Sequence, residues 1–535
     1  MPTIDIKKRD LDSLIGKKLS LEVLEKKLML AKAELKEYDA QTDGLKVELS
    51  DSNRPDLWSA EGIARQIRIA LAGRAEAYPF FKHGRKPMRE IRVAKEMEEV
   101  RPFIAACTAS NVHMNDDVLA QAIQSQDKLS EIFGRKRATV SIGIYELDRI
   151  LFPVAYRLAE PASVSFMPLG MDERLTLAEI LERHPKGIAY GNIVKPFPRY
   201  PVLIDSMGRA LSFPPIINSR EIGEVKPSTR NVLIEVTGTD LRMTALTLNI
   251  LAAGFYDRGA EIEPILVTYP YKTGLGKRIA FPVDISGTFT VPLARFSAGL
   301  GEGVTPADVK KYLSAYGHSV GTSKGRVSVV VPPYRDDIMH PVDLVEDYAI
   351  SRGYDSFEPV MPQQPTVGAL SPLELLSDTV RGAMIGSGFQ EIMSNILCSR
   401  EELDYAREDG ERLVEVDNVM SLAYSALRNR LLPSLLTLEA ASSKAFYPHR
   451  VFEVGEVAVF DASENAGSRT DLNLGALIAH PGANFSEMHS VLDVLFYYLG
   501  LKYRLDPAEH PLFLQGRCGR ISAADGVDLG FIGEV

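Results

Sequence analysis

The run from Pro332 to Tyr354, PPYRDDIMHPVDLVEDYAISRGY, constrains the fold more than any other stretch. Two prolines close an apolar strand over Val327 to Val331, and Pro341 opens a helix where its missing N–H costs nothing. Gly353 is a common C-terminal stop. The i, i+3, i+4 spacing predicts one face for Asp343, Glu346 and Asp347, with Val342, Val345 and Ala349 facing the other way. Asp337, on the turn before, reaches the same place. Four carboxylates at a helix start suit a hard cation, magnesium or calcium. The plain alternative is electrostatic: acidic side chains favour the positive end of a helix dipole by about 0.3–1 kcal/mol each.

The chain around that helix is too long for one core. Its 535 residues predict three or four domains. No apolar run approaches the length of a transmembrane helix, and the start MPTIDIKKRD has no apolar signal core. Three cysteines, Cys107, Cys398 and Cys518, lie far apart and in no metal spacing, which suits a reducing, cytoplasmic compartment. A net charge of −10 argues against a broad nucleic-acid surface, so any RNA contact must be local or shared with a partner.

Punctuation gives the domain order. Residues 1–87 read as a mixed α/β domain, with a helix over Leu21 to Leu30 and a half-buried strand over Leu45 to Leu49. The turn Ser52-Asn53-Arg54-Pro55-Asp56-Leu57 then leads into an amphipathic helix from Trp58 to Ala72, stopped by Gly73. Pro79 to Pro87 reads as a linker. Residues 88–280 form a larger α+β unit with strands over Ile91 to Ala94, Phe103 to Ala109, Val202 to Ile204, Asn231 to Val236 and Ile262 to Tyr269. Helices are predicted over Asp116 to Phe133 and from Leu241 to Ala253, the latter ended by Gly254. Alternation puts Glu235, Thr237 and Thr239 on one strand face. Beside Leu203 and Phe213 they could line a small-molecule pocket, or be a solvated face.

Residues 281–360 form a compact helix–hairpin–helix unit, winged-helix-like in order, closed by the acidic helix. The proline-rich MPQQPTVGALSP separates it from residues 361–535. There, helices are predicted over Leu373 to Ile385 and Ser434 to Ser443, and strands over Glu391 to Leu397 and Arg450 to Val457. The chain ends at Gly533-Glu534-Val535 inside a strand-like pattern, which predicts a truncated end or a strand tied into a sheet. No hydrolytic triad, zinc motif or phosphate-binding loop is present: Gly299-Leu-Gly301-Glu-Gly303 and Gly274-Leu-Gly276-Lys277 have the wrong spacing.

Four ordered stretches, Ser52 to Arg65, Phe213 to Asp240, Arg335 to Tyr354 and Leu427 to Val457, resemble the β subunit of phenylalanine–tRNA ligase in its archaeal or eukaryotic-like form. The resemblance implies an α+β multidomain chain in a heterotetramer of two α and two β subunits. The ligase attaches L-phenylalanine to tRNA(Phe), with ATP and L-phenylalanine bound at the α-subunit site. It implies that residues 88–280 are an editing domain hydrolysing mischarged Tyr-tRNA(Phe), with a pocket of Leu203, Ser212, Asn218, Glu235 and Thr237. The family often has aspartate where this chain has Glu235. It also implies Mg2+ held structurally by Asp337, Asp343, Glu346 and Asp347. Residues 361–535 are then a class II synthetase-like, non-catalytic domain, since no Gly-x-Gly-x-Gly-x-x-Arg element is present to hold ATP. Truncation becomes the favoured reading of the end. A free-standing aminoacyl-tRNA hydrolase and a non-enzymatic nucleic-acid-binding scaffold are the rival readings.

Overall fold

The computed structural model describes residues 2–50, 53–82, 86–361, 366–404, 406, 411–442 and 444–535. Ser52 of the first motif, parts of both linkers and Ser443 lie outside them. The chain divides into two compact units, Met1–Val360 and Met361–Val535.

The first unit begins with a three-stranded antiparallel sheet, ordered Thr3–Lys7, Gly44–Leu49, Ala33–Asp39. Its helix Ala60–Ala72 starts where the Ser59 side chain accepts the Gly62 N–H at 3.1 Å. It stops at Gly73 with φ +67°. Gly62 has no substitute, because a Cβ there would overlap the Asp56 carbonyl.

The boundary expected near residue 87 runs through a continuous core. Trp58, Ile63 and Ile67 share one buried cluster with Leu246, Leu251 and Phe255. Charges cross the same boundary: Arg65 meets Asp257 at 2.7 Å, and Arg258 meets Asp10 at 2.8 Å and Glu61. The expected linker is anchored too, since Phe81 is buried and the rings of Tyr78, Phe80 and Tyr256 pack edge to face. Aromatic side chains of that size bind the segment to the core whatever its proline content.

Ten strands form the main sheet. Along it run Ile217–Asn218, Ala210–Phe213, Tyr200–Ile204, Val154–Ala159, Arg89–Val93, Glu261–Thr273, Phe103–Ser110, Val232–Gly238 and Val140–Glu146, with Gly276–Phe281 also on Glu261–Thr273. Only the two pairings of Arg89–Val93 are parallel. The sheet curls until its ends meet: the Tyr145 hydroxyl, on the last strand, lies 2.9 Å from Ser212 Oγ near the first. Asn218 Nδ2 donates to the Ile144 carbonyl at 3.4 Å.

The helix behind this sheet, Leu241–Asp257, runs through Gly254 instead of stopping there. A Cβ at Gly254 would sit against the Glu61 side chain at 3.7 Å. The helix passes the glycine and buries Phe255 beyond it, and that burial outweighs glycine's low helix propensity.

Residues after 287 build a smaller sheet, ordered Thr288–Pro292, Arg326–Val330, Ser319–Ser323, with helices Leu293–Leu300, Pro306–Ala315 and Pro341–Arg352. The Leu293–Leu300 helix was not evident from its glycine-rich end. Pro341–Arg352 has the predicted bounds, but not the predicted faces. Val342 is 51% exposed and Asp347 is 6% exposed.

In the second unit, Gln390–Glu391, His449–Phe460 and Ser468–Ala479 form one sheet, flanked by helices Pro372–Gly386 and Phe485–Leu499. The strand expected over Glu391 to Leu397 is instead two short pieces, Gln390–Glu391 and Leu397–Cys398, in different sheets. The final strand, Asp528–Gly533, is tied antiparallel to Cys518–Ala523. The Leu427 to Val457 motif is one buried ion pair with its fittings. Arg428 meets Glu453 at 2.8 Å and donates to the Glu456 carbonyl, and a Cβ at Gly455 would overlap Arg428.

Candidate functional site

The strand Val232–Gly238 lies between Phe103–Ser110 and Val140–Glu146, and its register puts Glu235 opposite Ala106 and Gly143. Two small neighbours leave space for a long carboxylate. A Cβ at Gly143 would overlap both Glu235 Oε2 and the Tyr145 hydroxyl, so any side chain there forces that pair to move. Glu235 forms part of the wall of a cavity of about 380 Å³ at the seam of the curled sheet. Tyr145, Ser212, Phe213, Asn218 and Arg137 also line it. The volume suits a small ligand.

Glu235 is 2% exposed. Among the described residues it forms no ion pair within 4 Å. The Tyr145 hydroxyl donates to Glu235 Oε2 at 2.6 Å. That phenol has one proton, so Ser212 can then donate to its oxygen. Burial raises the Glu235 pKa to about 7, while hydrogen bonds from Tyr145 and Thr237 and the Arg101 charge pull it back. Arg101 is itself buried and spent on neutral groups. Its Nε donates to Thr237 Oγ1 at 3.0 Å, Nη2 to the Thr237 carbonyl at 2.8 Å and Nη1 to the Ala138 carbonyl at 3.0 Å. Burial lowers its pKa, and Tyr156 and Glu235 counter that fall from a distance. A carboxylate half-ionised near neutrality, in a cavity, is a functional-site signature.

The structure therefore brings Ser212, Asn218 and Glu235 together on one cavity wall. Thr237 sits behind them, fully buried and bonded to Arg101 and to Ser141 Oγ at 2.9 Å. Leu203 is paired directly across from Ser212 in the ladder but lies in the core and does not line the cavity. Thr239 is exposed beyond the strand end, so the expected polar row stops at Thr237. Sequence reasoning missed Tyr145 and Arg101. The available signal was Gly143 inside an apolar strand, which marks a close approach.

The acidic helix is different. Asp337, Asp343, Glu346 and Asp347 line one small space of about 20 Å³ with Lys32, Arg54 and Tyr316. Each carboxylate there already has protein partners. Arg335 binds Asp337 at 2.5 Å and Asp347 at 2.9 Å, and Arg54 stands 3.8 Å from Asp337. His318 Nε2 lies 2.6 Å from Asp347 Oδ2. Asp343 accepts the N–H groups of Met339 and His340 at 2.7 Å, and Lys32 binds Glu346 at 2.9 Å. Burial pushes the Asp337 and Asp347 carboxyls up, but Arg335 and its neighbours hold both below the usual range. Burial also lowers the His318 pKa. Among the described residues no group of three or more His, Cys, Asp and Glu is arranged to hold a metal. In this geometry Asp337, Asp347 and Glu346 are ion-paired within the protein and Asp343 caps the helix start.

Residues 289–354 match the tRNA synthetase B5 domain, which places this part of the chain among aminoacyl-tRNA synthetase domains. Residues 358–535 match the phenylalanyl tRNA synthetase beta chain CLM domain. The chain is 38% identical over 540 residues to the phenylalanine–tRNA ligase beta subunit of Borrelia recurrentis, covering 100% of this chain and 95% of that one. It is 37% identical to that of Thermococcus gammatolerans, again over 100% of this chain. A crystal structure of an N-terminal fragment of the Pyrococcus horikoshii phenylalanyl-tRNA synthetase beta subunit matches 66% of this chain and all of the fragment, with TM-score 0.62 and 37% identity. The chain belongs to the phenylalanine–tRNA ligase beta-subunit family, and its role in tRNA aminoacylation is that of the beta subunit.

Proposed function

We propose that the cavity at Glu235 hydrolyses tyrosine wrongly attached to tRNA(Phe), inside a heterotetramer of two α and two β subunits whose α subunits bind ATP and L-phenylalanine. The observation that carries this reading is a buried carboxylate at a ligand-sized cavity that forms no ion pair among the described residues. An apolar synthetic pocket rejects an added hydroxyl only by about 10²-fold, whereas a site built to bind that hydroxyl rejects the analogue lacking it by about 10⁴–10⁵. Ionised Glu235 is an acceptor for a phenolic O–H. A phenylalanyl group brings no O–H and leaves Glu235 with only its protein donors, Tyr145 and Thr237, so the correct product gains no hydrogen bond there. A water held against the ester is the proposed nucleophile.

An α-subunit partner is supported by the second unit's surface. Met393, Met420, Phe446, Tyr497 and Leu422 are all at least 79% exposed, an apolar load suited to a protein interface. The reading of 361–535 as a class II-like domain without its own synthetic site is supported by its buried arginine. Arg428 is spent on Glu453, and Arg450 on Glu487 at 2.6 Å, leaving neither to neutralise a phosphate. A cytoplasmic location follows from tRNA charging as the task. The three cysteines are unpaired and buried. Among the described residues no helix is long and apolar enough to cross a membrane.

Magnesium is a separate structural proposal for the oxygen-rich space at Asp337, Asp343, Glu346 and Asp347. Its entry would displace Lys32 from Glu346. A magnesium-dependent rise in melting midpoint, lost in Asp343→Ala/Glu346→Ala, supports it; an unchanged midpoint removes it.

The editing reading is tested by charging tRNA(Phe) with tyrosine, using the full chain and its α partner. Glu235→Ala should let Tyr-tRNA(Phe) accumulate while phenylalanine charging is retained. Equal tyrosine accumulation in wild type and variant excludes Glu235 from editing.

A further inference from the structure

The mouth of the Glu235 cavity carries a feature that its chemistry leaves unused. Arg135, Lys136 and Arg137 have φ of +50°, +53° and +67°, three consecutive non-glycine residues in the left-handed region. L side chains rarely adopt it, and glycine or asparagine would do so more easily. The turn is pinned by backbone bonds. Lys136 N–H donates to the Glu131 carbonyl at 2.8 Å, Arg137 N–H to Ser130 at 2.9 Å and Thr139 N–H to Gly134 at 2.9 Å. A Cβ at Gly134 would overlap the carbonyls of Ser130 and Val140, so the turn is also sterically locked.

Arg137 accounts for its own position. It is 8% exposed, donates to the carbonyls of Pro215 and Ile216 at 3.2 and 2.9 Å, and lies 4.3 Å over the Tyr190 ring. It thereby fixes the Pro214–Pro215–Ile216 lip, which lines the cavity. Arg135 and Lys136 have no such role. Both are exposed, and among the described residues neither forms an ion pair. Lys186, which also lines the cavity, adds a third cation with no carboxylate partner among the described residues. Asp127 and Glu131 face Arg137 at 4.0 and 3.7 Å, and Asp127 and Glu224 line the cavity. Arg135 and Lys136, held in strained backbone without such partners among the described residues, point to an anionic partner.

We propose that the left-handed turn at Arg135 and Lys136 docks phosphates of the single-stranded 3′ end of the aminoacylated RNA and aims its terminal ester into the cavity. Arg137 is a positioning residue that holds the lip. The proposal rests on the editing reading of the cavity for its purpose, though not for its RNA contact.

The test uses the full chain with its α partner and the exposed double variant Arg135→Ala/Lys136→Ala. Two readouts are taken: tRNA affinity as a function of salt, and hydrolysis of Tyr-tRNA(Phe) against 3′-tyrosyl-adenosine, which lacks phosphates. The variant should weaken tRNA binding roughly tenfold and lower the salt slope by about 1.4, the expectation for two single-strand phosphate contacts. KM for Tyr-tRNA(Phe) should rise while 3′-tyrosyl-adenosine is hydrolysed as by wild type. Unchanged affinity and salt slope overturn the proposal. Equal loss on both substrates also overturns it, because the turn would then be acting on the cavity itself. If wild type hydrolyses neither substrate, the editing reading falls, and the affinity and salt slope still decide the RNA contact.

Discussion

Within the first unit, two sets of buried carboxylates meet opposite fates. Asp337 and Asp347 are surrounded by Arg335, Arg54 and His318, which hold their carboxyls below the usual range. Glu235 is equally buried but faces a phenol, with a guanidinium nearby that is committed elsewhere, and it titrates at about 7. The contrast shows that burial alone does not mark a working group. A carboxylate whose charge is matched holds the fold, and one whose charge is unmatched is available to a ligand.

The strongest way to break this comparison is to remove the matching charge. Arg335→Met should leave Asp337 and Asp347 buried without their main cation and cost about 3–5 kcal/mol. Its urea unfolding midpoint checks this, and a near-wild-type midpoint would mean the network is not structural. The next effect concerns pH. Between pH 4.5 and about 7 the folded chain keeps a proton on Glu235 that the unfolded chain has lost. Stability should therefore fall as pH rises through that window, by about 3 kcal/mol for a shift of this size. Glu235→Gln should flatten the dependence. The aspartates run the other way: their folded values lie below the ordinary 3.8, so their contribution is complete above it and is lost as pH falls further. An acid limb that persists in Glu235→Gln but weakens in Asp347→Asn would separate the two sets.

Gly143→Ala should be next, at about 1–3 kcal/mol for a forced repacking, with the Tyr145–Glu235 contact broken. A crystal structure or hydrogen-exchange map of the strand Val140–Glu146 reads it. The smallest effect belongs to Lys32→Ala. Its bond to Glu346 has both side chains partly exposed, so the loss should stay below about 1 kcal/mol.

Much of the first unit was legible because its signals are local. Pro341 and Gly353 bound the acidic helix, and Gly73 ends Ala60–Ala72, whose start falls two residues after the expected Trp58 because Ser59 caps it. What the sequence hid is what long-range packing decides. Spacing put Asp347 with Asp343 and Glu346, yet His318, at the start of the preceding hairpin, and Arg335, on the turn before the helix, draw it inward and leave Val342 outside. Gly254 looked like a stop because the helix it must pass, near Glu61, is almost two hundred residues earlier. The site divides likewise. Glu235 came from strand alternation and Ser212 and Asn218 from a resemblance. Tyr145 and Arg101, on and just before the two strands paired on either side of Val232–Gly238, reach Glu235 and Thr237 through a pairing of segments distant along the chain.

The most direct test of the contrast is deacylation of pre-formed Tyr-tRNA(Phe) by the assembled ligase, comparing wild type with Glu235→Gln and Arg335→Met. Glu235→Gln should leave the ester largely intact at pH 8 while the unfolding midpoint does not fall. Arg335→Met should still hydrolyse it wherever the chain remains folded. Full hydrolysis by Glu235→Gln would contradict the assignment of the unmatched carboxylate as the working one.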